Sequence, residues 1–307
     1  MQKGLLAILV ALSSVSLSCG LTDRATETKT TNNQAQLATS GTREEFVDKV
    51  KPLTETDVTD IDSKLQTLMP DLPSVDYGQE PVTVFDLLIQ LKSETNGHNA
   101  LWNAVFQTTT DASTMIRRLE ENQIEGYSYV NTTEKSGEAL GSKAAVTDVA
   151  ITFTSNNDEL KFVVKTDSIT SKVQVSVSKK KLLTETQELA DFMTTYSGWA
   201  SDYPISADTT IKKLSISRSF QSFTLTVPPL VFSLELTSEE KKSSGMFADF
   251  EQGATEKGWL KTKTEDRDNF FTHPAGYEVN AKTDGPTLEV STEVDFEETG
   301  KAGQQDR

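Results

Sequence analysis

The sequence predicts an α+β fold: N-terminal helices packed on one side of a curved antiparallel β-sheet, with one further helix inserted among the strands. Two observations predict it. Apolar residues recur every three to four positions up to about residue 125, and every second position beyond it. Each helical stripe and each alternating strand also has a single apolar face, so one layer must cover the other.

The helical expectation rests on four stripes. Val58, Ile61, Leu65 and Leu68 follow Asp57, a plausible cap. Val84, Leu87, Leu88 and Leu91 make a second stripe, and Leu101, Trp102, Val105 and Phe106 a third. Met115, Ile116 and Leu119 follow Thr110-Asp111, another cap signal. Pro70, Pro73 and Pro81 break the chain between the early segments. A later helix is expected within Thr184–Ala200, where Leu189, Phe192, Met193, Tyr196 and Trp199 share one face.

The strand expectation rests on alternation. Val149, Ile151 and Phe153 alternate with polar residues, as do Leu160, Phe162 and Val164, and Val173, Val175 and Val177. Phe223, Leu225 and Val227 precede Pro228-Pro229, and Leu230, Phe232, Leu234 and Leu236 follow. Tyr277, Val279 and Ala281 lead into Thr283-Asp284-Gly285, with Leu288, Val290, Val294 and Phe296 on the return. An Asp-Gly pair between alternating runs is a strong hairpin signal. The chain carries 41 threonines, a β-branched residue that suits the wet face of such a sheet.

Composition excludes several classes. The 307 residues carry a net charge of −16, which repels phosphate backbones, so no nucleic-acid partner is expected. A single cysteine, Cys19, provides no internal disulfide or Cys-based metal centre, and no cofactor is expected. No apolar run reaches the ~20 residues of a membrane-spanning helix.

The N-terminus reads as an address. Lys3 precedes the uncharged run Gly4–Leu17, which ends in Ser18, Cys19 and Gly20. A positive start, an apolar middle and small boundary residues make a secretory signal peptide. Such a run spans about 21 Å as a helix, short of the ~30 Å hydrocarbon core. The cysteine at the cleavage point resembles the lipobox of bacterial lipoproteins. That resemblance implies that the Cys19 thiol is acylated and becomes the new N-terminus. It also implies sorting to the outer membrane, because Gly20 rather than Asp follows. Ser16 stands where the family pattern has Leu, and Ser16-Leu17-Ser18 also fits an ordinary signal peptidase site. The expected organisation is a signal peptide (1–18), a lipidated cysteine with a disordered tether (19–42), a helical part (43–135), an antiparallel β part (136–296) and a disordered tail (297–307). Two separate domains joined by a linker at Glu134–Ser142 are the alternative.

Chemistry is sparse in the sequence. Nucleophile-elbow, phosphate-loop and zinc-helix motifs do not occur. His98 and His273 both read as loop histidines. Asp57, Asp60 and Asp62 read as helix-start carboxylates, and Asp266, Asp268 and Asn269 as a loop cluster without a full calcium-binding pattern. Two groups stand out. Phe192, Tyr196, Trp199 and Phe232, with Met193, Met246, Phe247 and Phe250, are either core or the lining of an apolar ligand cavity between helix and sheet. Lys179, Lys180 and Lys181 are either an ordinary strand end or part of a basic rim with Lys212 and Lys213.

These readings converge on a non-catalytic cell-envelope lipoprotein with a binding or structural role in the outer membrane or at the cell surface. A lipid anchor would hold it to the membrane, and its partner would be an envelope protein, a polymer or a lipid. The alternatives are a carrier of lipid or another hydrophobic ligand, by analogy with lipid-carrier lipoproteins, and below that an envelope hydrolase.

Overall fold

The computed structural model describes residues 37–38, 41–55, 57–138, 145–156, 158–167, 172–219, 228–265 and 267–296. Cys19, the leader, most of the tether, the Phe223–Val227 run and the 297–307 tail lie outside the described residues.

The architecture corrects the expected α+β fold. Among the described residues one twelve-stranded antiparallel sheet dominates, with five short helices. The strands are β1 (Val82–Glu94), β2 (Gly97–Thr108), β3 (Ser128–Glu138), β4 (Ala145–Ser155), β5 (Asp158–Asp167) and β6 (Val173–Leu183), then β7 (Thr210–Ser219), β8 (Leu230–Thr237), β9 (Leu260–Glu265), β10 (Asp268–Thr272), β11 (Glu278–Asp284) and β12 (Thr287–Val294). The helices are α1 (Arg43–Val50), α2 (Ile61–Leu68), α3 (Ala112–Glu121), α4 (Thr186–Tyr196) and α5 (Ser243–Glu256). The stripes Val84–Leu91 and Leu101–Phe106 are therefore strands, not helices. The expected helical part contains β1, β2 and most of β3, and Glu134–Glu138 extend β3 rather than open a linker.

A β-bulge explains the misread period. The β1–β2 register shifts between Val84 and Asp86, so Phe85 is an extra residue. The buried face of β1 thus runs Val84, Leu87, Ile89, Leu91, and Leu88 on the other face completes a helix-like spacing. Elsewhere the alternation is clean. β8 buries Leu230, Phe232, Leu234 and Leu236, and the Asp284-Gly285 turn joins β11 to β12. Gly285 adopts φ 53°, in the left-handed region that favours glycine.

The strand order is β3-β4-β5-β6-β2-β1-β7-β8-β12-β11-β10-β9. Its two halves share one topology. In each, a hairpin (β1–β2 or β7–β8) is followed by a helix (α3 or α5) and a four-strand meander (β3–β6 or β9–β12). The last strand of the meander pairs with the second strand of the hairpin. The halves join where β1 pairs with β7, with Ile89 opposite Ile216. Leu87 pairs with Arg218 and Leu91 with Leu214, so residues equally spaced from the central pair exchange partners. The irregularities repeat as well. The first hairpin has its bulge at Phe85 and the second at Lys212, while the edge pairs have theirs at Val130 and Thr262.

Short helices pack on parts of the apolar face. α3 packs on β4 and β5, and α5 on β9, β11 and β12. Asp111 caps α3 by accepting from the Thr114 amide at 2.9 Å, the cap its sequence predicts. α1 opens with a capping box between Thr42 and Glu45. Full burial of each large apolar side chain on this face contributes ~1.5–3 kcal/mol.

Candidate functional site

The duplicated topology sets two equivalent clusters at the same place in each half. In the first half Trp102 of β2 pairs with Lys179 of β6, and Lys179 pairs in turn with Leu160 of β5. In the second half Phe232 of β8 pairs with Thr292 of β12, and Thr292 with Val279 of β11. Two residues before Leu160 and Val279 stand Asp158 and Tyr277. Tyr127 and Trp259 each immediately precede the edge strand of their half.

The first cluster is ionic and closed. Lys179 is only 8% exposed. Its Nζ donates to the Asp71 carbonyl at 2.7 Å, lies 3.3 Å from Asp158 Oδ2 and sits 5.4 Å from the Trp102 ring centroid. Tyr127 donates to Asp158 Oδ2 at 3.2 Å. Tyr196 of α4 donates to Asp71 Oδ2 at 2.8 Å and accepts from Trp102 Nε1 at 3.1 Å. Burial, then the neighbouring carboxylates, pushes the Tyr127 and Tyr196 hydroxyls far above their ordinary range. Both stay protonated at neutral pH and act as hydrogen-bond donors. A buried cation needs such partners, because desolvating it alone is expensive.

The second cluster is aromatic and borders open space. The Arg43 guanidinium lies 4.2 Å over the Tyr277 ring. Tyr277 stacks on His273, with centroids 4.3 Å apart and planes 12° apart, and His273 meets Trp259 at 4.7 Å. His273 Nδ1 accepts from the Ala275 amide at 3.0 Å, which leaves Nε2 to donate to Asp202. Burial raises the Tyr277 hydroxyl above its usual range, with Asp202 adding to the shift. A cleft of about 1020 Å³ opens beside the stack, bordered by Arg43, Tyr277, Glu278, Asn280, Ser291 and Glu293. Arg43 Nε and Asn280 Oδ1 are buried there without a hydrogen-bond partner among the described residues. Loop position alone did not reveal His273 as the middle of this stack. The available signal was the density of rings from Trp259 to Tyr277, a stretch that also holds Phe270, Phe271 and His273.

The sequence-selected residues fall as follows. Phe192, Tyr196, Trp199 and Phe232 lie in one buried cluster with Phe46 and Trp102. Phe192 and Tyr196 centroids are 4.7 Å apart, Trp199 and Phe232 5.2 Å, and Phe46 bridges Tyr196 and Phe232 at 6.2 Å from each. Met246 and Phe250 are buried residues of α5, and Phe250 connects to the group through Trp259, Tyr203 and Trp199. The lysine run divides between faces. Lys179 is buried, Lys180 is exposed on the other side, and Lys181 pairs with Glu188 of α4 at 3.2 Å. Lys212 pairs with Glu235 at 3.0 Å. His98 is half-buried at the start of β2, and burial lowers its pKa. Asp62 accepts from Ser74 Oγ and the Val75 amide, and Asp268 from Asn280 Nδ2 at 3.2 Å. Asp266 lies outside the described residues.

No protein-family model matches the chain, and neither a curated protein nor a solved structure is detectably similar to it. The described residues form an antiparallel β protein of two topologically equivalent halves joined edge to edge.

Proposed function

We propose that the protein is a non-catalytic, lipid-anchored binding protein of the bacterial cell envelope. The observation that carries the binding role is the cleft beside Arg43 and Tyr277. It sets a cation-stacked aromatic wall beside the polar side chains of Glu278, Asn280, Ser291 and Glu293. A concave site with a few convergent polar groups is the ordinary form of a small-ligand pocket. The carboxylates Glu278 and Glu293 at the rim sit close enough to select against a strongly anionic ligand. The anchor rests on the Gly4–Gly20 pattern with Cys19 at its boundary. The Ala38 amide bonds Ser197 Oγ at 2.9 Å, and α1, which carries Arg43, starts five residues later.

Growing cells with a labelled palmitate analogue and separating membranes from soluble protein tests the anchor. The wild-type chain takes up label and sediments with membranes; Cys19→Ala takes up none and becomes soluble. Equal membrane retention of the two would overturn the anchor. Arg43→Ala tests the cleft separately, since it leaves membrane retention unchanged while abolishing ligand-dependent thermal shifts in a screen of neutral and cationic envelope components.

A further inference from the structure

The two ends of the sheet are topological counterparts, yet they are finished differently. β9 is six residues long and crossed by two lysines. Lys261 pairs with Glu251 of α5 at 2.6 Å, and Lys263 lies against the Phe270 ring at 5.4 Å. Short length and inserted lysines are devices that keep a sheet edge from pairing; the bulge at Thr262 has its counterpart at Val130 of β3 and does not separate the two edges. β3 is eleven residues long, and its first six, Ser128–Thr133, carry no charge. It also holds Tyr129 and Val130, which are 52% and 50% exposed. With Leu260 at the other edge, 68% exposed, they are the large exposed hydrophobics among the described residues.

We propose that β3 pairs antiparallel with β3 of a second copy of this chain, joining two sheets across a two-fold axis. The chain already contains this kind of joint: β1 and β7 are equivalent edge strands that meet antiparallel about Ile89 and Ile216. The β3 sequence accepts the same geometry. Antiparallel pairing about Thr133 sets Thr133 against its own copy, Glu134 against Thr132 and Lys135 against Asn131. No like charges of the strands themselves face each other, Glu120 on Thr132 Oγ1 being the one carboxylate brought near the partner's Glu134, and cross-strand threonine pairs are favourable. Tyr129 is already fixed on its own side, with its ring 5.7 Å from Phe153 and its hydroxyl bonded to Thr132 Oγ1, so little side-chain order remains to be imposed. One edge left open among the described residues and one guarded edge give a closed dimer and no fibre. The charge of −16 per copy opposes approach, so the dimer tightens as salt is raised from low ionic strength.

The test is sedimentation of the full chain in a Cys19→Ala background, so that no acyl group contributes to association. A dimer is expected at tens of micromolar, with a dissociation constant that falls as salt rises. Thr133→Lys places two ammonium groups opposite each other and raises that constant at least tenfold without changing the circular dichroism spectrum. Thr264→Lys on β9 leaves it unchanged. In the same background Thr133→Cys provides the chain's single thiol, and mild oxidation forms an intermolecular disulfide. Opposed antiparallel residues have Cα atoms about 4.5–5.5 Å apart, within disulfide range. Thr264→Cys is the matched control. A chain that stays monomeric at every salt concentration, or a Thr133→Cys variant that cross-links no faster than Thr264→Cys, overturns the proposal. That result would hold equally if β3 instead received an extended peptide from another protein.

Discussion

Ile89 of β1 sits directly opposite Ile216 of β7 at the centre of the sheet, and both are buried. The pair marks the seam between halves that each contain a hairpin, a helix and a four-strand meander. Truncating either side chain removes the same contact from equivalent surroundings. Ile89→Ala and Ile216→Ala are each expected to cost about 2–4 kcal/mol, in the usual range for a buried isoleucine. Urea unfolding monitored by circular dichroism measures it. The seam also predicts one cooperative transition for both halves. Two resolved transitions in the wild-type chain would show that β1–β7 pairing does not couple them.

Much of the sheet was legible, and the reason it was not fully so is specific. β4, β5, β6, β8, β11 and β12 alternate without a bulge inside their apolar runs, and each buries the residues that alternation picks out. β1 and β2 do not. The extra residue Phe85 turns a two-residue period into Val84, Leu87, Leu91, and the outward-facing Leu88, Leu101 and Val105 add apolar residues on the wrong face. The result imitates a helix for local reasons, although β1 and β2 pair with each other and with β7 and β6. The site was less legible still. Arg43, Asp71 and Asp202 each belong to loops or helix ends, and only the fold brings them to Tyr277, Tyr196 and His273. The duplication is likewise invisible residue by residue, because Trp102 answers to Phe232 and Lys179 to Thr292.

Lys179 tests the closed cluster. Lys179→Met keeps the stem but removes the charge, leaving Asp158 and the Asp71 carbonyl without their donor. Breaking one side of a buried pair typically costs ~3–5 kcal/mol, because the other charge remains unpaired. Asp158 keeps some exposure and the Tyr127 hydroxyl, so the expected loss is about 2–4 kcal/mol. Adding Asp158→Asn removes the stranded charge and is expected to recover at least a third of that loss. A double variant less stable than Lys179→Met would show that the carboxylate is not the group left stranded.

Acid pH acts through a defined set of carboxylates. The Arg118 guanidinium holds Glu80 below the usual range, the Ser113 and Thr114 hydroxyls hold Asp111 low, and Ser206 followed by Lys241 does so for Asp208. Unfolded, these groups titrate near pH 4. The unfolded chain therefore binds more protons than the folded one just below that value, and stability rises with pH across the interval. Their contribution is complete above about pH 5 and disappears as pH falls through the lower folded values. Melting temperature is expected to drop steeply below pH 4. The combination of Glu80→Gln with Asp111→Asn lowers stability at pH 6 and flattens that drop. His98 adds a separate step. Burial keeps it neutral, so its contribution is lost as pH falls below about 6.5, and His98→Asn removes that step. An unchanged acid slope in the carboxylate double variant would remove these groups from the explanation.

Gly253 reverses the ordinary rule for a helix. Replacing glycine by alanine inside a helix usually stabilises by roughly 0.5–1 kcal/mol, because the unfolded chain loses freedom. In α5 a Cβ at Gly253 would lie 2.6 Å from Pro204 Cβ, a contact that rigid ring and helix cannot both accept. The glycine is what lets α5 lie against the Tyr203-Pro204 loop, which carries Tyr203 to Trp259 at 5.5 Å and holds Asp202 on His273. Gly245, in the first turn of the same helix, meets only the flexible Lys241 stem at 3.5 Å, an ordinary contact. Gly245→Ala is therefore expected to stabilise by about 0.5 kcal/mol, and Gly253→Ala to destabilise by about 1–3 kcal/mol. Because Gly253→Ala pushes on the loop, it also disturbs the histidine stack, so the His273 ring protons should shift in its NMR spectrum and stay fixed in Gly245→Ala. Equal stabilisation by the two alanines would mean that α5 does not approach the loop this closely in solution, and the stack would then need another source of order.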